Sequence, residues 1–377
     1  RPFSHSSEEK ARSGLMVASI SARKSVGAAV AYFKHMAEDE YYTADTEAEG
    51  EWDGRGAERL ALEGPVTKAE FEAALNGLDP KTGEPLVQTS NKSHAPGWDM
   101  TYSAPKSVSV MWALSPEADR AKIETAHRQA VHAATTHLED GHGFTRRGKG
   151  GAIREPVAGL TVARFHHHTS RDLDPQLHTH AFIFNMAPRR DGSWGSLVSR
   201  DLYKAQKETG ATYRQHLANT LERQGFAIER NGTGFRLKAI PHSIERAFSK
   251  RRQAIEKAAD TYGYKTPKGM EMAALRTRQA KRPRERAALF QAWKAEAKAL
   301  GFDLAKSRQQ QRMQPVQSRS MSSATKLKTS SPARAILPSV KQMLGKIAAM
   351  ANTSSSMPGV RINLRQKPPD RGYEREN

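Results

Sequence analysis

At 377 residues the chain has room for two ordinary domains, or for one elaborated domain with tails. It contains no cysteine, no secretory signal segment and no apolar run near the ~18–20 residues of a membrane-spanning helix. Disulfides, zinc ribbons, thiol nucleophiles and iron–sulfur clusters are thereby excluded, and the composition fits a reducing compartment. Sixty Lys and Arg against forty Asp and Glu leave a net charge of +20, beyond the ~2–8 that solubility asks of a domain. Such an excess points to an anionic polymer, nucleic acid before membrane.

Residues 1–15 are polar and aperiodic and read as a flexible extension, with Met16 a candidate natural start. Apolar periodicity then runs from 16 to 303. Residues 304–377 turn to Ser, Gln, Arg, Lys and Pro, a basic low-complexity tail too poor in apolar surface to offset ordering entropy. Within it, 336–350 carries an apolar stripe at helical spacing and is expected to form a short helix that frays or binds a partner.

Taken in order, Val17–Ser21 alternates as a strand and Ser25 caps a helix running to about Asp39. Thr67 and Glu70 have the spacing of a capping box for a helix ending near Asn76. Trp98–Ser103 reads as a strand, with Pro105 opening the helix after it. Ser115-Pro116-Glu117 starts a long helix expected to stop at Gly141. Leu160–Phe165 and Leu177–Asn185 are alternating strands. A helix follows from Leu202 to Gln224, then a hairpin signalled by Asn231-Gly232, then basic helices from Ser243 to Leu300. Strands and helices in this irregular order predict an α+β fold with an antiparallel sheet. No Gly-rich GxxxxGK[ST] phosphate loop is present, so the chain is not by itself a P-loop motor.

The most informative stretch is FHHHTSRDLDPQLHTHAF, residues 165–182. His178 and His180 lie two apart in an expected strand, so both leave the same face about 6.5–7 Å apart along the backbone. One divalent ion can accept both and needs a third ligand. The preceding strand ends in His166-His167-His168, in which His167 points opposite to its neighbours, so one set can reach the ion and not all three. An open three-histidine site leaves room for substrate oxygen, the mark of a catalytic rather than a structural ion. In the strand Trp98–Ser103, Asp99, Thr101 and Ser103 share a face opposite Trp98, Met100 and Tyr102. Three polar side chains on one face look at solvent or at a site, and Asp99 would suit a carboxylate that orients a ligating imidazole.

In the first helix, Val26, Ala29, Val30, Phe33 and Ala37 form the apolar stripe, with Phe33 on it and Tyr32 at its flank. Lys106 and Ser107, at the start of a helix, are candidate phosphate contacts. Basic clusters at Arg146-Arg147-Gly148-Lys149, Ser249-Lys250-Arg251-Arg252 and Lys281-Arg282-Pro283-Arg284 are candidates for gripping a DNA backbone, each equally readable as a solvated face.

The segments AYF…DEYY, WDGRGAERLAL, WDMTYSAPKSVSVMW and the histidine block together resemble conjugative relaxases of the TrwC/TraI (MobF) type, within the HUH endonucleases. The resemblance runs from about Met16 to Asp303. It implies an antiparallel sheet palm flanked by helices, and a DNA nickase and strand transferase working through a 5′-phosphotyrosyl intermediate at a plasmid transfer origin in a bacterial cytoplasm. It implies His167, His178 and His180 as ligands of one divalent ion, Asp99 as the aspartate that orients a ligand or takes the nucleophile's proton, and Tyr32 as first nucleophile. The family's adjacent tyrosine is replaced here by Phe33, which leaves Tyr41 or Tyr42 for any second transfer. Ligand softness suits the three imidazoles to Mn, Zn, Co or Ni, while abundance favours Mg or Mn. The implied partners are single-stranded and origin-hairpin DNA, with coupling or accessory proteins for the tail. Two other readings stand beside this one: a non-catalytic origin-binding protein, and a rolling-circle replication initiator of the same chemistry.

Overall fold

The computed structural model describes residues 18–23, 25–31, 50–87, 95–278 and 285–313. Its centre is a five-stranded antiparallel sheet in the order β1-β3-β7-β6-β2, formed by Ala18–Arg23 (β1), Glu51–Asp53 (β2), Gly97–Ser103 (β3), Val162–Thr169 (β6) and Pro175–Phe184 (β7). Phe144–Arg147 (β4) and Ile153–Pro156 (β5) pair separately, as do the two-residue strands Ala187–Pro188 (β8) and Trp194–Gly195 (β9). Ile228–Asn231 (β10) and Gly234–Leu237 (β11) form the expected hairpin. Its two turn residues are Gly232 and Thr233, one position later than the Asn231-Gly232 signal, because Asn231 still pairs with Gly234.

The helices are α1 (Arg55–Arg59), α2 (Lys68–Leu75), α3 (Lys106–Leu114), α4 (Glu117–His142), α5 (Ser199–Arg223), α6 (His242–Ala247), α7 (Lys250–Thr261), α8 (Pro267–Arg276), α9 (Arg286–Ala299) and α10 (Leu304–Met313). The capping box of α2 is formed: Thr67 Oγ1 accepts from Glu70 N at 3.2 Å and Glu70 Oε2 accepts from Thr67 N at 3.3 Å. Helix α4 passes through the expected stop at Gly141 and ends at His142, with Gly143 as its extended cap. Helix α5 starts three residues before the expected Leu202 and closes on Gln224 as its cap, followed by Gly225 at φ +86°. The tail was expected from residue 304, but 304–313 form α10. Arg308 holds it by an ion pair with Asp119 at 2.5 Å, and Ser307 Oγ donates to Ala239 O at 2.8 Å. The expected helix at 336–350 lies outside the described residues.

Period-2 alternation gives the sheet two different faces. Trp98, Met100 and Tyr102 of β3, with Val162 of β6 and Leu177, Ala181 and Ile183 of β7, join the core formed with α3, α4 and α5. The opposite face carries Ala163, Phe165, Phe182 and Phe184, which pack with Phe71 of α2 and with Ala29, Val26 and Val30 of the helical segment 26–31. Phe71 meets three of these rings at centroid distances of 5.0–5.9 Å. Edge strand β2 was not foreseen. It is followed by Gly54 at φ +87°, where a Cβ would sit 2.3 Å from Leu160 O, so only glycine lets the chain turn so close to its neighbour.

Candidate metal centre

The antiparallel pairing of β6 with β7 sets His167 directly opposite His178, and the pairing of β3 with β7 sets Thr101 opposite His180 and Asp99 opposite Phe182. Odd-numbered residues of β6 and β3 and even-numbered residues of β7 therefore share one face, continuous with Phe165 and Phe182. On it the rings of His167, His178 and His180 form a triangle with every centroid distance 5.2 Å. A nitrogen from each lies within 4.8 Å of the other two, and all three side chains are half-buried. A register slip of one residue on β6 would have moved His167 to the other side of the sheet.

Hydrogen bonds fix which nitrogen faces the centre. His178 Nδ1 donates to Gln176 O at 3.0 Å, and His180 Nδ1 lies 3.1 and 3.0 Å from the two oxygens of Asp99. A carbonyl and a carboxylate only accept, so Nδ1 carries the proton in both rings and Nε2 keeps its lone pair for an ion. Thr101 Oγ1 is 3.1 Å from the same His180 nitrogen. Burial is the main cause pushing His178 down to about 3 and holding His167 well below the usual imidazole value, with the neighbouring histidines adding to it. His167 and His178 are thus held in the neutral form, the one that binds metal. Three imidazoles, two with Nδ1 held by an acceptor and one of these braced by a carboxylate, fit a divalent ion of the transition series with a coordination position left open.

Asp99, 4% exposed, also accepts from Arg23 Nη2 at 3.2 Å. Arg23 was missed because the first strand was expected to end at Ser21; it continues to Arg23, and the same alternation that selected Asp99 would have found it. Asp99→Ala is expected to weaken divalent-ion binding by ~10–100-fold, as loss of a partner that orients a ligand does. Titration calorimetry against wild type reads the change, and equal affinity would remove Asp99 from that role.

His166 and His168 face the helical side. His166 hydrogen-bonds Thr179 Oγ1 at 2.7 Å and Glu51 Oε1 at 2.6 Å, and Thr179 is in turn 2.8 Å from His127 Nε2. His168 stacks on Trp112 at 5.0 Å. Both are fixed in the fold away from the triangle.

The expected phosphate contacts are redistributed. Ser107 is fully buried, and its Oγ accepts from Leu237 N at 3.0 Å, so it ties α3 to β11 and is not available to a phosphate. Lys106 turns inward and donates to Pro175 O at 2.9 Å. Burial lowers its pKa to about 8 against the opposing pull of Asp174 and Glu245. Arg251 closes the end of α8 through Thr277 O and Ala274 O, both at 2.6 Å, which is a structural use of the side chain. Arg147 is paired with Glu155 and Asp191, and Arg252 with Glu256. Arg146 and Lys149 are exposed. Tyr32, Tyr41, Tyr42 and the 281–284 cluster lie outside the described residues. No helix among the described residues is long and apolar enough to cross a membrane.

A model of the TrwC relaxase family matches residues 26–300, and the chain belongs to that family, the conjugative relaxases of TrwC/TraI, MobF type. It is 35% identical over 297 residues to the multifunctional conjugation protein TraI of Escherichia coli K12, a match covering 76% of this chain and 16% of that protein. The chain thus spans about a sixth of that relative's length. Among solved structures it resembles a metal-bound complex of the conjugative relaxase TrwC with oriT DNA, at 32% identity and a TM-score of 0.67 over 76% of this chain and 99% of that one. A TrwC complex with a 27-mer DNA comprising the recognition hairpin and the cleavage site gives 30% identity and a TM-score of 0.65, with the same coverage.

Proposed function

We propose that the protein nicks and transfers one strand of a plasmid transfer origin, through a 5′-phosphotyrosyl intermediate and with one divalent ion held by His167, His178 and His180. The observation that carries the reading is the convergence of three imidazoles on one sheet face, one braced by Asp99, in a chain of the TrwC relaxase family. The metal-bound TrwC complex with oriT DNA, and the TrwC complex with a 27-mer holding the recognition hairpin and cleavage site, support it.

A divalent ion at this place supplies Lewis-acid withdrawal of charge from the non-bridging phosphate oxygens. The protein's own part is orientation and a nucleophile. His178 and His180 hold their Nε2 lone pairs inward because Gln176 and Asp99 take the Nδ1 protons. The bonds Asp99 makes to His180 and Arg23 favour the orienting role over that of proton acceptor. The Tyr32 oxygen attacks phosphorus, the phosphorus–O3′ bond breaks, and the 5′ phosphate stays on the tyrosine. The phenol's proton is balanced by the one taken up by the departing 3′ oxygen. Because one phosphodiester replaces another, the strand can be rejoined without ATP. Arg146 and Lys149, with the net charge of +20, suit contact with the DNA backbone.

Metal removal separates this reading from a non-catalytic binding role. With a labelled single strand carrying the origin site, EDTA is expected to abolish cleavage while a gel-shifted complex persists. Absence of cleavage both with and without added Mg, Mn or Zn would favour the binding role.

A further inference from the structure

We infer that the chain holds a second divalent-cation site, formed by His137 and His142 of α4 and Glu208 of α5, which takes an ion of the zinc class and staples the two long helices together. His137 Nε2 lies 3.3 Å from Glu208 Oε1, and His142 Nε2 lies 3.3 Å from Glu208 Oε2. The two rings stand 5.4 Å apart at 59°. One ligand atom from each residue falls within 4.8 Å of the other two.

Two observations set this apart from an ordinary pair of surface contacts. The first is metric. Tetrahedral coordination with bonds of about 2.0–2.1 Å puts neighbouring ligand atoms about 3.3 Å apart, the spacing His137 keeps from Oε1 of Glu208 and His142 from Oε2. The second is that His137 Nε2 is buried and has no hydrogen-bond partner, although a carboxylate oxygen lies 3.3 Å away. The nitrogen is close to Glu208 without being aligned for a hydrogen bond, as a donor aimed at a shared ion would be.

The supports are rigid. Glu139, between the two histidines, accepts from Leu160 N at 2.7 Å and Arg55 N at 2.8 Å, which pins the last turn of α4. Helices α4 and α5 pack along their lengths through Ala130, Val131, Ala134 and Leu138 against Tyr213, Leu217 and Leu221. Two imidazoles and a carboxylate favour Zn, Co or Ni over Mg. With three protein ligands the fourth position falls to water. The site lies on the helical layer, whereas the His167 triangle lies on the sheet face turned away from it.

The test counts ions in the full chain after equilibrium dialysis against Zn. Wild type is expected to hold two per chain. The variant His167→Ala/His178→Ala/His180→Ala should hold one, and that one should be lost on adding His142→Ala or Glu208→Gln. In the triple-variant background Zn should raise the thermal midpoint, and the same two changes should abolish that rise. Circular dichroism confirms that each variant is folded. A folded triple variant that binds no Zn, or one that keeps its Zn after both changes, overturns the second site. Failure of the catalytic centre to bind metal would instead leave wild type with one ion, still sensitive to His142→Ala.

Discussion

Tyr32→Phe is expected to abolish the covalent protein–DNA adduct while leaving binding of the same oligonucleotide in place. The substitution removes a single oxygen, and that oxygen is the atom proposed to attack phosphorus. Deleting a catalytic nucleophile costs on the order of 10⁵–10⁶ in rate, far more than any packing change at a helix flank. The chain enters this segment from residues 26–31, whose Ala29, Val26 and Val30 pack with Phe165 and Phe182 on the sheet face that carries His167, His178 and His180. The helix leading to Tyr32 therefore belongs to the ligand-bearing face. Incubation with a single strand spanning the nick site, followed by a denaturing gel, reads the result. An undiminished adduct would move the role to another residue, with Tyr41 and Tyr42 the first to examine.

The second large effect separates three consecutive histidines. His167→Ala is expected to lower divalent-ion affinity by more than ~100-fold, above the ~10–100-fold that loss of an orienting partner costs. His166→Ala and His168→Ala should leave affinity nearly unchanged. His166 spans Thr179 and Glu51, so its removal loses two hydrogen bonds and a buried ring and should cost stability, about 1–3 kcal/mol. His168→Ala removes a ring stacked on Trp112. Calorimetric titration together with a thermal melt distinguishes the two kinds of loss. Weaker ion binding in His166→Ala than in His167→Ala would reverse the assignment of the third ligand.

Why some of this was legible in the sequence is a matter of period. In β3, β6 and β7 strict alternation decides which side chain faces which layer, so the split of His166 and His168 from His167, and of Asp99 and Thr101 from Met100 and Tyr102, follows from counting residues. Strand β2 has three residues, too few to show a period, and its Glu51 and Asp53 take meaning from partners across space, His166, His132 and Arg164 among them. The end of α4 could not be placed from Gly141, because glycine permits a stop without forcing one. The basic residues were the least legible. Charge is written in the sequence, but partners are not. Ser107 stands at a helix start and yet is sealed under β11, and Arg251 spends its guanidinium on the carbonyls of α8. Likewise, nothing in the spacing of His137 and His142 announces Glu208, which arrives from a helix some 66 residues further on.

The most direct measurement is the mass of the intact protein after exposure to a single strand containing the origin site, with and without a divalent ion. The account predicts a new species heavier by the strand on the 3′ side of the nick, formed only with the ion and mapping to the peptide that contains Tyr32. A cleaved strand with no gain in protein mass, or an adduct that forms equally well in EDTA and survives His167→Ala, would contradict it.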